Sequence, residues 1–67
     1  MESAELIERA LRDSDGTLSA AECAAATGIS RVSARRYLER FHTMGNADVS
    51  LRYGSAGSPE RRYTWRA

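Results

Sequence analysis

The stretch from residue 27 to residue 45, TGISRVSARRYLERFHTMG, constrains the fold more than any other part of the chain. Ser30 is placed to cap a helix, because its hydroxyl can accept from the free amides of the first turn. Gly45 stands where a helix can end in a left-handed residue, a conformation that glycine adopts without steric cost. The stretch therefore predicts a tight turn followed by a helix over residues 30–44.

This helix has two chemically different faces. Apolar residues recur at spacings of three and four, which places them together on one side. They are Ala34, Tyr37, Leu38 and Phe41. At about 100° per residue, Val32, Ser33 and Arg36 point away from that side, and Arg35 lies on its flank. We expect the apolar face to be buried and the arginines to be exposed, which is typical of a helix that contacts DNA.

The preceding residues predict two shorter helices and a turn. Residues 3–12 form an amphipathic helix with Leu6, Ile7, Ala10 and Leu11 on one stripe. Residues 19–27 begin with Ser-Ala-Ala-Glu, a capping box. Ala24, Gly28 and Ala34 then have the spacing of a helix-turn-helix, because small residues allow the two helices to cross closely. A helical hairpin that binds no ligand is the structural alternative for this stretch.

The C-terminal third changes period. Val49, Leu51 and Tyr53 alternate with polar residues, and so do Tyr63 and Trp65. Two alternating runs joined by the loop 54–60 predict an antiparallel hairpin over residues 47–66, with its apolar and aromatic face against the helices. Thr17 and Leu18 form a short extended step. The whole chain, residues 1–67, is thus predicted to be one α+β domain, mostly α, a winged helix-turn-helix of three helices and a hairpin wing.

Charge is distributed unevenly along the chain. The net charge is only +1. Residues 1–27 carry six acidic and two basic side chains, a net −4, whereas residues 28–67 carry eight arginines and three acidic residues, a net +5. The cationic part begins where the third helix begins, which favours a polyanionic partner. Every cation is an arginine, whose planar fork suits phosphate and guanine.

We therefore predict an interface with double-stranded DNA. The N-terminal half of the third helix would enter the major groove, where arginine pairs with guanine and valine packs on a thymine methyl. The wing arginines would mainly position the domain on the backbone, and the start of the second helix could meet a phosphate. The candidate DNA-binding residues are Ser30, Arg31, Val32, Ser33, Arg35, Arg36, Arg52, Arg61 and Arg62.

Other function classes have little support in the sequence. No nucleophile–base set, metal-ligand cluster or glycine-rich phosphate loop is visible, so we expect no enzyme activity, catalytic residue, metal or cofactor. His42 is interpreted as a cation near a helix end and Cys23 as a small core residue. A single cysteine favours a cytoplasmic setting, and no apolar run is long enough to span a membrane.

Three segments carry a family resemblance: LSAAEC from residue 18, TGISRVSARRYL from residue 27, and LRYG with GSPERRY between residues 51 and 63. Together they resemble the C-terminal DNA-binding domain of the citrate/malate (CitB-type) two-component response regulators, over about residues 17 to 65. The resemblance implies a bacterial transcription regulator that binds promoter DNA after phosphorylation of a separate receiver domain. It also implies that Arg31, Ser33, Arg35 and Arg36 contact DNA.

Two departures from the family pattern matter. The family usually has Gly-Arg-Pro at the wing tip, and Ser58 stands here in place of the arginine, which argues against deep insertion into the minor groove. No receiver domain is present, so the chain is either an excised output domain or a free-standing relative, and a homodimer on DNA stays open. The alternative function is a winged-helix protein–protein interaction module, which would expose apolar anchors on the third helix.

Overall fold

The structure is a computed structural model that describes residues 2–54 and 57–66. In these residues, three helices and three strands follow one another along the chain. They are α1 Ser3–Asp13, β1 Leu18–Ser19, α2 Ala20–Thr27, α3 Arg31–Thr43, β2 Ala47–Arg52 and β3 Glu60–Trp65. The predicted helices are found within one residue of their expected ends. The predicted loop over 54–60 lies partly outside the described residues.

Local interactions explain where α2 begins and ends and where α3 begins. The Ser19 hydroxyl accepts from the Glu22 amide at 3.1 Å, and the Glu22 carboxylate accepts from the Ser19 amide at 2.9 Å, which confirms the capping box. Gly28 ends α2 with φ of 78°. The Ser30 hydroxyl accepts from the Ser33 amide at 3.2 Å and caps α3. These contacts form a short helix, a left-handed corner and a longer helix.

Strand β3 is the centre of an antiparallel sheet with the order β1-β3-β2. On one side Tyr63 pairs with Leu18 of β1, and on the other it pairs with Val49 of β2. The predicted hairpin is therefore present, and the extended step before α2, found one residue later than expected, adds a third strand to it. This pairing ties the chain just before α2 to the hairpin.

The core lies between the three helices and one face of the sheet. Ile7 and Leu11 of α1 are buried in the same cluster as Leu38 of α3, which is fully inaccessible to solvent. Tyr63 closes the core from the sheet with 1% of its surface exposed, and the other buried apolar residues are Cys23, Ala34 and Ala47. The rings of Phe41 and Trp65 meet edge to face at 5.3 Å. The predicted packing of Tyr63 and Trp65 onto the helices is confirmed.

The prediction that Leu51 and Tyr53 would also pack on the helices is wrong. Val49 is half-buried, but Leu51 is 46% exposed, and Tyr53, beyond the end of β2, is 74% exposed. The reason lies on the neighbouring strand, where the partner of Leu51 is Arg61. At this level the guanidinium group of Arg61, rather than an apolar side chain, meets the helices, so the apolar core ends at the Val49–Tyr63 pair.

In the described chain, no helix has the length and apolarity needed to cross a membrane.

Candidate nucleic-acid interface

The outer side of α3 carries an exposed cluster of arginines. Arg31, Arg35 and Arg36 all project into solvent, and Val32 between them is 72% exposed. They point outward because Ala34, on the opposite side of the helix, is fully buried in the core. Within the described part of the chain, the three arginines make no hydrogen bond or ion pair. We call Arg31, Val32, Arg35 and Arg36 the arginine face.

The two candidate serines lie at the start of the same helix. Ser30 is exposed, and its hydroxyl oxygen is used in capping, which leaves the hydroxyl hydrogen free to donate. Ser33 is half-buried and lines a shallow depression together with Arg36, Tyr37 and Arg40. Both serines are therefore next to the arginine face, although Ser33, expected to point away from the apolar side, is half-buried beside Tyr37.

The wing arginines differ sharply from one another. Arg52, at the end of β2, is exposed, and no ion pair holds it in the described residues. Arg61 is bound by the carboxylate of Glu39 in α3, with Nε donating at 2.7 Å and Nη2 at 3.0 Å. The Tyr63 hydroxyl donates to the same carboxylate. The planar fork of Arg61 is therefore bound to α3, and 38% of its side chain remains exposed.

Arg62 is more buried than Arg61 and has more partners, with only 13% of its side chain exposed. Its Nε donates to the Thr17 hydroxyl at 2.8 Å, and Nη2 donates to the Thr17 carbonyl at 3.0 Å. Nη2 also donates to Glu22 at 2.7 Å, and Nη1 donates to Glu60 at 2.6 Å. The structure therefore does not place Arg62 among the exposed cations, contrary to the expectation that it faces DNA. Side chains 40 and 45 positions away bind it.

Two of the three carboxylates that hold these arginines, Glu39 and Glu22, are stabilised in their charged forms. Partial burial raises the pKa of Glu39, but the hydrogen bond from Tyr63 and the hydrogen bonds and charge of Arg61 outweigh it, so the net pKa lies below the usual 4.5. The hydrogen bond from the Ser19 amide, followed by the charge of Arg62, lowers the pKa of Glu22. Both carboxylates are therefore ionised at neutral pH.

Sequence reasoning did not identify Glu39, Glu22 and Thr17 as partners of the wing arginines. The capping box placed Glu22 at the start of α2, but no local spacing connects it with a residue 40 positions later. Because successive side chains of a strand point to opposite faces, Arg61 and Arg62 lie on different faces of β3. This alternation was the feature of the sequence that indicated different partners for the two arginines.

Cys23 and His42 lie in different surroundings within the fold. Cys23 is fully buried, and burial followed by the charge of Glu22 raises the pKa of its thiol to about 11. His42 lies in the last turn of α3, where its Nδ1 is 2.9 Å from the Ala47 carbonyl oxygen. Across residues 2–54 and 57–66, no three His, Cys, Asp or Glu side chains are grouped so that they could hold a metal ion.

The helices, the left-handed corner at Gly28 and the paired strands define a winged helix-turn-helix domain, as predicted. A solved structure described as a possible transcriptional regulator from Methanosarcina mazei Go1 has the same fold, with a TM-score of 0.84 at 12% identity. The match covers 100% of this chain and 57% of that chain. At this identity the likeness concerns the fold alone.

Sequence comparison gives a closer relationship. The chain is 43% identical over 53 residues to the probable C4-dicarboxylate response regulator DctR of Bacillus subtilis, and 40% identical over 57 residues to the transcriptional regulatory protein CitT of the same organism. These matches cover 79% and 85% of this chain. No family model matches it.

Over most of its length the chain is similar in sequence to part of the DctR and CitT response regulators, which confirms the resemblance to two-component response regulators. It spans about a quarter of the length of these relatives, 24% of DctR and 25% of CitT. Their names describe regulators of transcription and of signalling responses rather than enzymes.

Proposed function

We propose that this chain binds double-stranded promoter DNA in a sequence-specific manner, as the output domain of a bacterial transcriptional regulator and not as an enzyme. The observation that carries the proposal is the arginine face: guanidinium groups stand exposed on one side of α3, while Ala34 and Leu38 are buried on the other. A helix anchored in this way is about the right width for the major groove of B-DNA.

Each part of the arginine face has a chemical role in this proposal. Arg35 and Arg36 lie on the first turns of α3, where a guanidinium can donate two hydrogen bonds to guanine O6 and N7. Val32 is exposed enough to pack on the methyl group of a thymine. Arg31, Ser30 and Ser33 flank these residues and can donate to phosphate oxygens, which fixes the register of the helix without reading sequence.

The wing contributes through Arg52, whose exposed guanidinium can meet the phosphate backbone beside the groove. By the relationship to response regulators, the full-length protein would join this domain to a receiver domain in the cytoplasm. Pairs of such domains would bind two half-sites, so we include a homodimer on DNA in the proposal.

A protein–protein interaction module is the alternative function. Such a module is expected to place apolar anchors on the exposed side of α3, because aromatic and aliphatic side chains dominate the energetics of protein interfaces. That side instead carries Arg31, Arg35, Arg36 and Arg40, with Val32 as its exposed apolar residue. The charge of this surface favours a nucleic acid over an apolar groove.

The decisive experiment is selection of bound duplexes from a random pool, followed by affinity measurements on the enriched and an unrelated duplex. We expect enrichment of a short motif and at least about a thousandfold preference for it over unrelated DNA. Failure to enrich any motif, with no binding to random duplex at high protein concentration, would contradict the proposal and favour the protein-interaction module.

The salt dependence of binding provides a second check. Five exposed arginines make no ion pair within the described residues: Arg31, Arg35, Arg36, Arg40 and Arg52. If about five cations neutralise phosphates, log K should fall with log salt with a slope of about −4 to −5. An affinity independent of salt would show that phosphate neutralisation is not part of the interaction.

A further inference from the structure

We propose that Glu39 and Arg61 set the position of the wing beside the recognition helix, and that Arg61 is a positioning residue rather than a DNA contact. The inference rests on the proposed function, because it concerns how the DNA-binding surface is assembled. It assigns to Glu39 a role in DNA binding without contact with DNA.

The contact joins α3, which carries the arginine face, to β3, the second strand of the wing hairpin. Glu39 follows Arg35 by four residues, so it stands one helical turn further along nearly the same side of α3. Arg61 reaches it from β3 with both Nε and Nη2, at 2.7 and 3.0 Å. A bidentate arginine–carboxylate pair fixes orientation as well as distance, unlike a pair held by one contact.

The core supports this ion pair from beneath. Tyr63 is 1% exposed, and its hydroxyl donates to the carboxylate of Glu39. The guanidinium carbon of Arg61 also lies 5.9 Å from the centre of the Tyr63 ring. Because the tyrosine ring cannot move without opening the core, the carboxylate and the arginine are held in one geometry.

A second contact fixes the other face of the same strand. Successive side chains of a strand point to opposite faces, so Arg61 and Arg62 project to opposite sides of β3. Arg62 binds Thr17 before β1 and Glu22 in the first turn of α2. The strand is thereby tied to α3 on one side and to the start of α2 on the other, which leaves little freedom for the wing to pivot.

This restraint determines where the exposed wing cation lies. In the sheet register Arg52 faces Glu60, the residue before Arg61. Arg52 itself makes no ion pair in the described chain, so its place next to a DNA backbone depends on how β3 is held. The Glu39–Arg61 pair would therefore contribute to affinity through Arg52.

The first test compares the direction in which two substitutions change the affinity for DNA, measured on the duplex that the wild-type protein selects. If Arg61 positions the wing, Glu39→Gln and Arg61→Ala should each weaken binding by roughly threefold to fivefold. The double variant should be no weaker than the worse single variant, and the salt slope of Arg61→Ala should equal that of the wild type. Asp48→Asn is the matched control for Glu39→Gln, because it also removes one negative charge from an arginine–carboxylate pair, here the contact between Asp48 and Arg66.

A direct contact between Arg61 and a DNA phosphate would give opposite changes in affinity for the two variants. If Arg61 contacts phosphate, Glu39→Gln would free it and strengthen binding, whereas Arg61→Ala would weaken binding and reduce the salt slope by about 0.9. That pair of opposite signs, with wild-type binding intact, would overturn the positioning role while leaving the proposed function standing. Absence of DNA binding by the wild type itself would contradict the proposed function, and the positioning role with it.

The second test separates positioning from a purely structural role. We expect Arg52→Ala to weaken binding by roughly threefold in the wild-type background and to have little further effect in Arg61→Ala, because the wing is already displaced. If Arg61 served only to stabilise the fold, the effect of Arg52→Ala would be the same in both backgrounds. Glu39→Gln keeps an acceptor for the Tyr63 hydroxyl, so we expect this variant to remain folded. If Arg61→Ala does not fold, the effect of Arg52→Ala can be compared between the wild type and Glu39→Gln instead.

Discussion

Replacing Arg62 by alanine should cost far more stability than replacing Arg66, although both arginines pair with carboxylates. Only 13% of the Arg62 side chain is exposed, and it bonds Thr17, Glu22 and Glu60. Arg66 is 59% exposed and lies 3.6 Å from Asp48. Arg62→Ala therefore removes a largely buried side chain that has several partners, whereas Arg66→Ala removes one solvated contact.

The magnitude follows from the partners. The two hydrogen bonds to Thr17 are worth about 1 kcal/mol each. The carboxylates of Glu22 and Glu60 are about half exposed, at 48% and 50%, so water can replace the arginine and each pair adds only about 0.2–1 kcal/mol. The loss for Arg62→Ala should be about 2–4 kcal/mol, against under about 0.5 kcal/mol for Arg66→Ala.

A chain of this size has a free energy of unfolding of about 3–10 kcal/mol, so the loss is a large fraction of the total. Thermal and urea unfolding of both variants, followed by far-ultraviolet circular dichroism, should show the melting temperature of Arg62→Ala lowered by about 10 °C or more. The midpoint of Arg66→Ala should stay within a few degrees of the wild type. Equal stabilities for the two variants would refute the conclusion that the Arg62 network holds the wing to the helices.

Three further outcomes are expected. Leu38→Ala should cost about 2–5 kcal/mol in urea unfolding because the side chain is fully buried, while Val32→Ala on the exposed face should change stability by less than about 0.5 kcal/mol. Cys23 should react with a thiol reagent only as fast as the protein opens, and reaction at the rate of a free thiol would contradict its burial. The lowered pKa of Glu39 stabilises the fold above the usual carboxyl value of 4.5, and this contribution is lost as pH falls, so acid should destabilise the wild type more than Glu39→Gln in urea titrations at pH 6 and 3.5.

The helices and the turn could be predicted because their determinants are local. Ser19 and Ser30 bond amides three residues away, and Gly28 adopts a positive φ by its own lack of a side chain. The apolar periodicity of α3 likewise depends on neighbours one turn away, so it correctly separated the buried Leu38 from the exposed Val32. These are the features that place the arginine face.

The errors and omissions concern contacts between distant residues. Alternation identified the side of β2 on which Leu51 and Tyr53 lie, but it could not tell whether a helix covers that side. It also left Arg61 and Arg62 as free cations, because their partners Glu39 and Glu22 come from α3 and α2, 22 and 40 positions away. The sequence alone does not distinguish an arginine that faces solvent from one that is bound by a carboxylate.

The central claim is that arginines exposed on α3 read base pairs, and it is tested most directly by the base preference of Arg35→Ala and Arg36→Ala. Each variant and the wild type would be titrated against the selected duplex and against every duplex with one base pair changed, with Arg66→Ala as the control. We predict that at least one of the two variants loses about 1–3 kcal/mol of discrimination at a single guanine and retains it elsewhere. Unchanged discrimination at every position in both variants would contradict the claim.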